Sequence, residues 1–313
     1  MRAATIVDGR LEVREHPDPV PGTGQVLVRV RAAGLNGADM IQLRGGYPAP
    51  PGSPPDIPGL ELAGEVLATG PGAGRFQPGD RVMAVVGGGG QAEMAVVHER
   101  EAMPVPPNLD WHQAGGLPEV FTTAHDALFT QAGLRMGERL LVHGAAGGVG
   151  TAAVQLGVAA GAEVIASVRD PGRRDAVAAL GAEVVEPSSV AGRGPYDVIL
   201  ELVGAPNLDT NLNALAIGGR IAVIGTGAGA KGEMNLGLLM AKRARMHGST
   251  LRARPLEAKA AAARRVEAEV LPLFLRGRLT VPVCATFPLE EAAAAYERFG
   301  AGSKFGKVVL VCA

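Results

Sequence analysis

The chain has 313 residues, 47% hydrophobic and 19% charged, with 31 acidic side chains against 30 basic. That length supports a sizeable core and two domains. The net charge of −1 argues against nucleic acid as the main partner, because phosphate binding needs a concentrated basic face.

No apolar run approaches the ~18 residues that span a bilayer, and the opening MRAATIVDGR lacks an apolar signal segment, so a cytoplasmic protein away from membranes is expected. The first third reads as β structure with many breakers. QVLVRVR (25–31) alternates like a half-buried strand, as do Arg81–Val86 and Met94–Val97, with turns at PGTG, PGAG and QPGD. The segment YPAPPGSPPDIPG (47–59) holds too many prolines for a helix or an interior strand and reads as an extended surface loop.

After about residue 112 strands and helices alternate. Strand-like runs cover 139–143, 163–168, 183–186, 196–204, 220–225 and 246–250, with helical stretches at 151–161, 172–181, 207–219 and 235–244 between them. Six apolar strands separated by helices imply an α/β fold with a doubly wound parallel sheet. The tail opens on a helix whose apolar face recurs at Leu256, Ala260, Ala263, Val266 and Val270. It closes with strands near 281–287 and 307–312 around EEAAAAY, and is expected to return to the N-terminal part. Cys284 and Cys312 lie in apolar strand-like runs, which predicts buried, reduced thiols and no disulfide or metal pair. The six histidines show no metal-type spacing.

The stretch HGAAGGVG (143–150) joins the first alternating strand to its helix and carries G-x-x-G-x-x-G at Gly144, Gly147 and Gly150. Such a loop turns tightly, lets a pyrophosphate approach the backbone without a Cβ in the way, and points helix N–H groups at negative charge. Gly144, Ala145, Ala146, Gly147, Gly148 and Val149 are therefore candidate cofactor contacts. The tip of the second strand selects between NAD and NADP. Here it reads Ser167–Val168–Arg169, with Arg173 a turn further on, while the acid Glu163 lies at the wrong end. That pattern favours NADPH. Asp170, beside Arg169, either repels a phosphate or pairs with that arginine.

GERLLVHGAAGGVGTAAVQ (137–155) resembles the signature of the zeta-crystallin-like quinone oxidoreductase branch of the medium-chain dehydrogenase/reductase superfamily, departing from it at Val158, where a basic residue is usual. The resemblance continues in GLNGADMIQLRGGYPAPPG (34–52), PGLELAGEV (58–66), TTAHDAL (122–128), LGA (180–182) and GKVVL (306–310). It implies a GroES-like partial β-barrel catalytic domain from residues 1–112 and 254–313, with a Rossmann dinucleotide-binding domain at 113–253. The zinc alcohol dehydrogenases of this superfamily carry Cys and His ligands where this chain has Asn36 and Leu60, and only two cysteines exist for a structural zinc lobe. The expectation is no catalytic zinc of that type.

The same resemblance places Asn36 and Tyr47 at the substrate. Asn36 would bond the nicotinamide ribose or the acceptor oxygen, and Tyr47 would bond the acceptor or supply a proton. It places Thr123, Gly204, Gly225, Thr226 and Lys307 at the cofactor, Glu61 as a buried carboxylate paired with a cation, and Asp39 as a cap on the short helix after Asn36. At Ser188 a tyrosine found near the adenosine phosphate in relatives is missing. Without a Lewis acid, the expected reaction is NADPH-dependent reduction of a quinone or similar acceptor that delocalises the incoming charge itself. The alternatives are an enone, alkenal or enoyl-thioester reductase in the same fold, and an NADPH-binding sensor or structural protein with little turnover. The last Rossmann strand, MHGST, is an unpaired edge and the expected homodimer contact.

Overall fold

The computed structural model describes residues 1–312. In chain order its strands are β1 (Arg2–Val7), β2 (Arg10–Glu15), β3 (Gln25–Gly34), β4 (Glu61–Thr69), β5 (Arg81–Val85), β6 (Met94–His98), β7 (Ala102–Pro104), β8 (Arg139–His143), β9 (Glu163–Ser167), β10 (Glu183–Val185), β11 (Tyr196–Glu201), β12 (Leu215–Val223), β13 (Arg245–Gly248), β14 (Val283–Pro288) and β15 (Lys307–Val311). The chain divides into two compact units. One contains 1–122, 251–302 and 307 onward, the other 123–250 and 303–306. The domain borders that the family resemblance implies fall at 112/113 and 253/254.

In the first unit a seven-stranded sheet runs β14-β15-β3-β4-β5-β7, with β6 also on β3. The expected alternation of β3 holds at first, with Val26, Val28 and Val30 wholly buried. It gives way to continuous burial from Ala32 because the helix Trp111–Gly116 lies against this end. A Cβ on Gly115 would come within 2.6 Å of the Ala32 Cβ. The tail does return here: β15 pairs with β3 through Val309–Val311, and Leu289, Ala292, Ala295 and Tyr296 fill the same core. The hairpin β1–β2, turning at Asp8 and Gly9 with φ of 49° and 75°, is a strand pair that the sequence reading does not contain. The tail helix also departs from its simple periodicity. Leu256–Arg265 is α-helical, then widens to a π turn over Val266–Val270 before Leu271–Leu275.

Cys312 is buried as expected, but Cys284 is exposed. It sits on β14, an edge strand whose residues alternate in burial, and it occupies an outward position.

The second unit holds a six-stranded, wholly parallel sheet in the order β10-β9-β8-β11-β12-β13. Strand order reverses between β8 and β11, which is where α/β sheets bind ligands at the carboxyl ends of their strands. Leu140, Leu141, Val142, Val198, Ile199 and Leu200 are fully buried, as in a sheet covered on both faces. The helix expected over 207–219 stops at Ala214. Leu215 already pairs with Tyr196, and the next pair joins Val198 to Arg220, so residues 216–219 bulge out. Gly218, at φ +79°, makes that bulge possible. The helix expected over 172–181 is likewise shorter, a 3₁₀ turn at Pro171–Arg173 followed by Arg174–Ala178.

Candidate active site

In the second unit the glycine loop has the expected strand–turn–helix setting. Gly144, at φ +63°, turns the chain out of β8, and Gly147 leads into the helix Gly148–Ala159. Gly150 has no room for a side chain, since a Cβ would lie 2.4 Å from the Gly144 carbonyl oxygen. Gly147 faces open space apart from that oxygen at 3.5 Å. The first intrahelical bond is from the Thr151 N–H to the Gly147 carbonyl, at 2.8 Å. The N–H groups of Gly148, Val149 and Gly150 therefore have no partner within the helix, a cradle of donors whose chemistry suits an anion. Ala145 is fully buried and offers only its main chain, whose N–H reaches the Ser167 carbonyl at 3.3 Å. Ala146 accepts a bond from the Gly306 N–H at 2.9 Å, so a tail segment straps this loop.

Beneath the cradle lies a network that the sequence reading missed. His143 Nε2 is 2.7 Å from Asn211 Oδ1, and Asn211 Nδ2 donates to Glu201 Oε2 at 2.7 Å. Glu201 Oε1 accepts the N–H groups of Val203 and Gly204 at 2.6 and 2.8 Å. An acid inside the apolar run YDVILELVG is the signal that could have found it. The carboxylate fixes the turn at Gly204, whose φ of +124° and closeness to the Gly229 oxygen (2.5 Å from a Cβ) both demand glycine. Gly225 is equally tight against Leu202, and Thr226 is exposed.

At the β9 tip Ser167 is buried and Arg169 exposed. Asp170 pairs with Arg173, not Arg169: it caps the Gly172 N–H at 3.0 Å and lies 3.7 Å from Arg173 Nε. Arg173 also donates to the Ser303 carbonyl at 2.8 Å. Arg169 is thus the less encumbered of the two candidate cations. Thr123 is buried in the helix Pro118–His125.

In the first unit, residues from four separated segments converge on a buried cluster. Lys307 Nζ, on β15, donates to Leu35 O at 2.7 Å, Asn36 Oδ1 at 2.8 Å and Glu61 Oε1 at 2.6 Å. Asn36 Nδ2 donates to Glu61 Oε1 at 2.9 Å and to Gly34 O at 3.3 Å. Glu61 Oε2 accepts the Glu119 N–H at 2.9 Å. The cation expected for Glu61 is therefore Lys307, whose three ammonium hydrogens all meet protein oxygens. Both Asn36 amide hydrogens are also engaged, leaving one lone pair on Oδ1, which suits a hydroxyl donor and not a carbonyl acceptor. Asp39, fully buried, accepts the N–H groups of Asn36 (2.8 Å) and Gly59 (3.1 Å), the capping role expected of it. Burial pushes its carboxyl up to about 7, against the downward pull of the Asn36 bond and of Lys307.

Tyr47 is partly buried in the proline-rich loop, with the Arg252 guanidinium 5.1 Å from its ring centre. Burial raises its phenol pKa, and Arg252 pulls the other way. The loop packs on the glycine run 87–90, another feature the sequence reading passed over. A Cβ on Gly87 would come within 2.2 Å of Ser53 Oγ and 2.9 Å of Pro50 Cγ.

Comparison with known proteins adds family information to this geometry. Residues 22–107 match the profile of the alcohol dehydrogenase GroES-like domain, and residues 148–268 that of the zinc-binding dehydrogenases. The chain is 32% identical to the quinone oxidoreductase of Rattus norvegicus, over 94% of this chain and 91% of that protein. It is 31% identical to the acryloyl-coenzyme A reductase of Metallosphaera sedula, over 98% and 99%. Among solved structures it resembles a Pseudomonas syringae quinone oxidoreductase, with TM-score 0.87 and 29% identity over 99% and 100% of the two chains. It also matches the spectinabilin polyketide synthase system protein NorB of Streptomyces orinoci at 36% identity, and spans only 13% of that protein's length.

At the two positions where the resemblance sets zinc ligands, the residues present do not fit the metal. Leu60 has no donor atom, the Asn36 amide is held by its neighbours, and an ammonium stands 2.8 Å from its oxygen.

Proposed function

The chain belongs to the zinc-free, quinone oxidoreductase-like branch of the medium-chain dehydrogenase/reductase superfamily, and we propose that it is an NADPH-dependent quinone reductase. Its family and its Rossmann unit imply a nicotinamide dinucleotide cofactor. The observation that carries the reading is the Lys307–Asn36–Glu61 cluster. It fills the position of a metal centre with groups that cannot polarise a substrate oxygen as a Lewis acid does. The acceptor must then carry the incoming charge on its own conjugated carbonyls, which a quinone does.

A reduced nicotinamide supplies the hydride when bound. In this reading the amides of Gly148 and Val149 hold the pyrophosphate, Arg169 takes the 2′-phosphate, and the remaining Oδ1 lone pair of Asn36 accepts a ribose hydroxyl. Gly144, Ala145, Ala146, Gly147, Ser167, Gly204, Gly225, Thr226 and Thr123 shape the cofactor bed. Arg173, tied to Ser303, is a secondary contact, and Lys307 acts through Asn36. Tyr47 bonds the acceptor and gives it the proton that accompanies the hydride.

A second reading, reduction of an enone or enoyl thioester, is favoured by the likeness to acryloyl-coenzyme A reductase. Against it, Arg44 is the one basic residue in 36–60, which leaves little there to attract coenzyme A phosphates. NADPH mixed with quinones, alkenals and enoyl thioesters, followed at the nicotinamide absorbance band, tests the proposal. Turnover of quinones at least tenfold faster than thioesters is expected, and no consumption with any acceptor would overturn the enzyme reading. The proposal includes a homodimer through β13, an edge strand in a unit that exposes Ile217, Leu236 and Met240. Sedimentation at micromolar concentration checks it.

A further inference from the structure

Arg252 is 2% exposed, and among the described residues no carboxylate bonds it directly, although Asp39 and Glu119 act on it at longer range. Instead its guanidinium is divided among three neutral oxygens from three segments. Nε donates to Gly87 O at 2.7 Å, Nη1 to Tyr47 O at 2.8 Å and Nη2 to Gln42 Oε1 at 2.6 Å. Its Cζ also lies over the Tyr47 ring, 5.1 Å from the ring centre. Gln42 passes the connection on, since its Nε2 donates to Pro55 O at 3.3 Å. One buried cation thereby grips the proline-rich loop near both ends, directly at Tyr47 and through Gln42 at Pro55, and anchors it to the floor at Gly87.

A buried guanidinium with no carboxylate in hydrogen-bond contact is costly, and burial lowers its pKa against the opposing pull of Asp39 and Glu119. A loop that needed only to be extended would get that from its prolines. The extra tie sets where the loop sits, not merely its local shape.

We propose that Arg252 is a positioning residue that determines acceptor specificity. By fixing Tyr47 and the 47–55 rim together, it limits which acceptors reach the hydride and holds the phenol where the reduced acceptor takes its proton. This inference rests on the proposed quinone reductase reading for the role of Tyr47, but the loop clamp itself does not.

The test compares wild type with Arg252→Lys and Gln42→Glu. Lysine keeps the charge and loses the fork. Glutamate keeps an oxygen for Arg252 and loses the donor to Pro55, without orphaning the buried cation. KM and kcat are measured with 1,4-benzoquinone and with the bulkier 9,10-phenanthrenequinone, alongside NADPH affinity. Hydrogen exchange is followed for amides in 47–57 and, as a reference, in β3. For Arg252→Lys we expect acceptor KM to rise about tenfold and the bulky-to-small kcat/KM ratio to shift about tenfold, with NADPH affinity unchanged. Gln42→Glu should shift the ratio less, with faster exchange confined to the Pro55 end.

Equal losses for both quinones, or a loss of NADPH affinity of the same size, would show a merely structural arginine and overturn the proposal. If Arg252→Lys does not fold, Gln42→Glu decides: an unchanged ratio and unchanged exchange overturn it. If wild type turns over neither quinone, the function reading fails, and the exchange pattern alone tests the clamp.

Discussion

The two candidate sites are built from opposite materials. In the second unit the cradle is one contiguous loop of main-chain amides, and its demands are negative: no Cβ at Gly150, a positive φ at Gly144. In the first unit the cluster is made of side chains from positions 36, 39, 61 and 307, each defined by the bonds it makes to the others. A site of amides tolerates change wherever there is room. A buried site of linked charges fails when any member is removed, because its partners are left desolvated and unpaired. The contrast teaches that the amide loop is robust and generic, whereas the side-chain cluster is brittle and particular.

The largest expected effect is Lys307→Met. It leaves Glu61 buried without its cation and should lower unfolding stability by about 3–5 kcal/mol in urea titration. Adding Glu61→Gln should recover more than half of that. If the single variant is as stable as wild type, the brittleness claimed for the first unit is wrong.

Next comes pH. Burial raises the Asp39 carboxyl to about 7 in the folded chain from 3.8 when free, so the folded state retains a proton that the unfolded chain releases. Its contribution is complete below about pH 4 and is lost as pH climbs toward about 7, by up to about 4 kcal/mol. The Tm of wild type should therefore fall relative to that of Asp39→Asn between those limits. Parallel Tm profiles would refute the assignment.

On the amide side, Gly150→Ala should destabilise by about 1–3 kcal/mol and weaken NADPH binding, because its Cβ meets backbone. Gly147→Ala, with open space, should change Tm little. Equal effects would erase the distinction between crowded and open glycines. A smaller effect is expected of Arg169→Ser, which should weaken NADPH about tenfold, ~1.4 kcal/mol, and leave NADH unchanged by fluorescence titration. Arg173→Ser should do less, being tied to Asp170 and Ser303.

The same contrast explains what could be read in advance. Gly144, Gly147 and Gly150 announce themselves because the physics of a tight βα turn is local, and so does the alternation of β8 to β13. Their boundaries slip where a tertiary contact overrides a periodic pattern, as at Leu215, which leaves its expected helix to pair with Tyr196. Asn36 and Glu61 were visible only through family likeness, and the partnership with Lys307 was not visible at all. Nothing in GKVVL says that its ammonium will reach across the sheet to residues 246 and 271 positions earlier. Arg252 and Glu201 escaped for the same reason: their meaning lies in carbonyls and amides that adjacent sequence does not specify.

The strap at 303–306 has a practical consequence for dissecting the molecule. A fragment cut at 123–250 follows the apparent Rossmann borders but discards the N–H of Gly306 that holds Ala146 and the carbonyl of Ser303 that holds Arg173. Such an excised piece would keep every glycine of the signature and still lose the scaffolding of its glycine loop. A faithful minimal binding module would need this tetrapeptide grafted back.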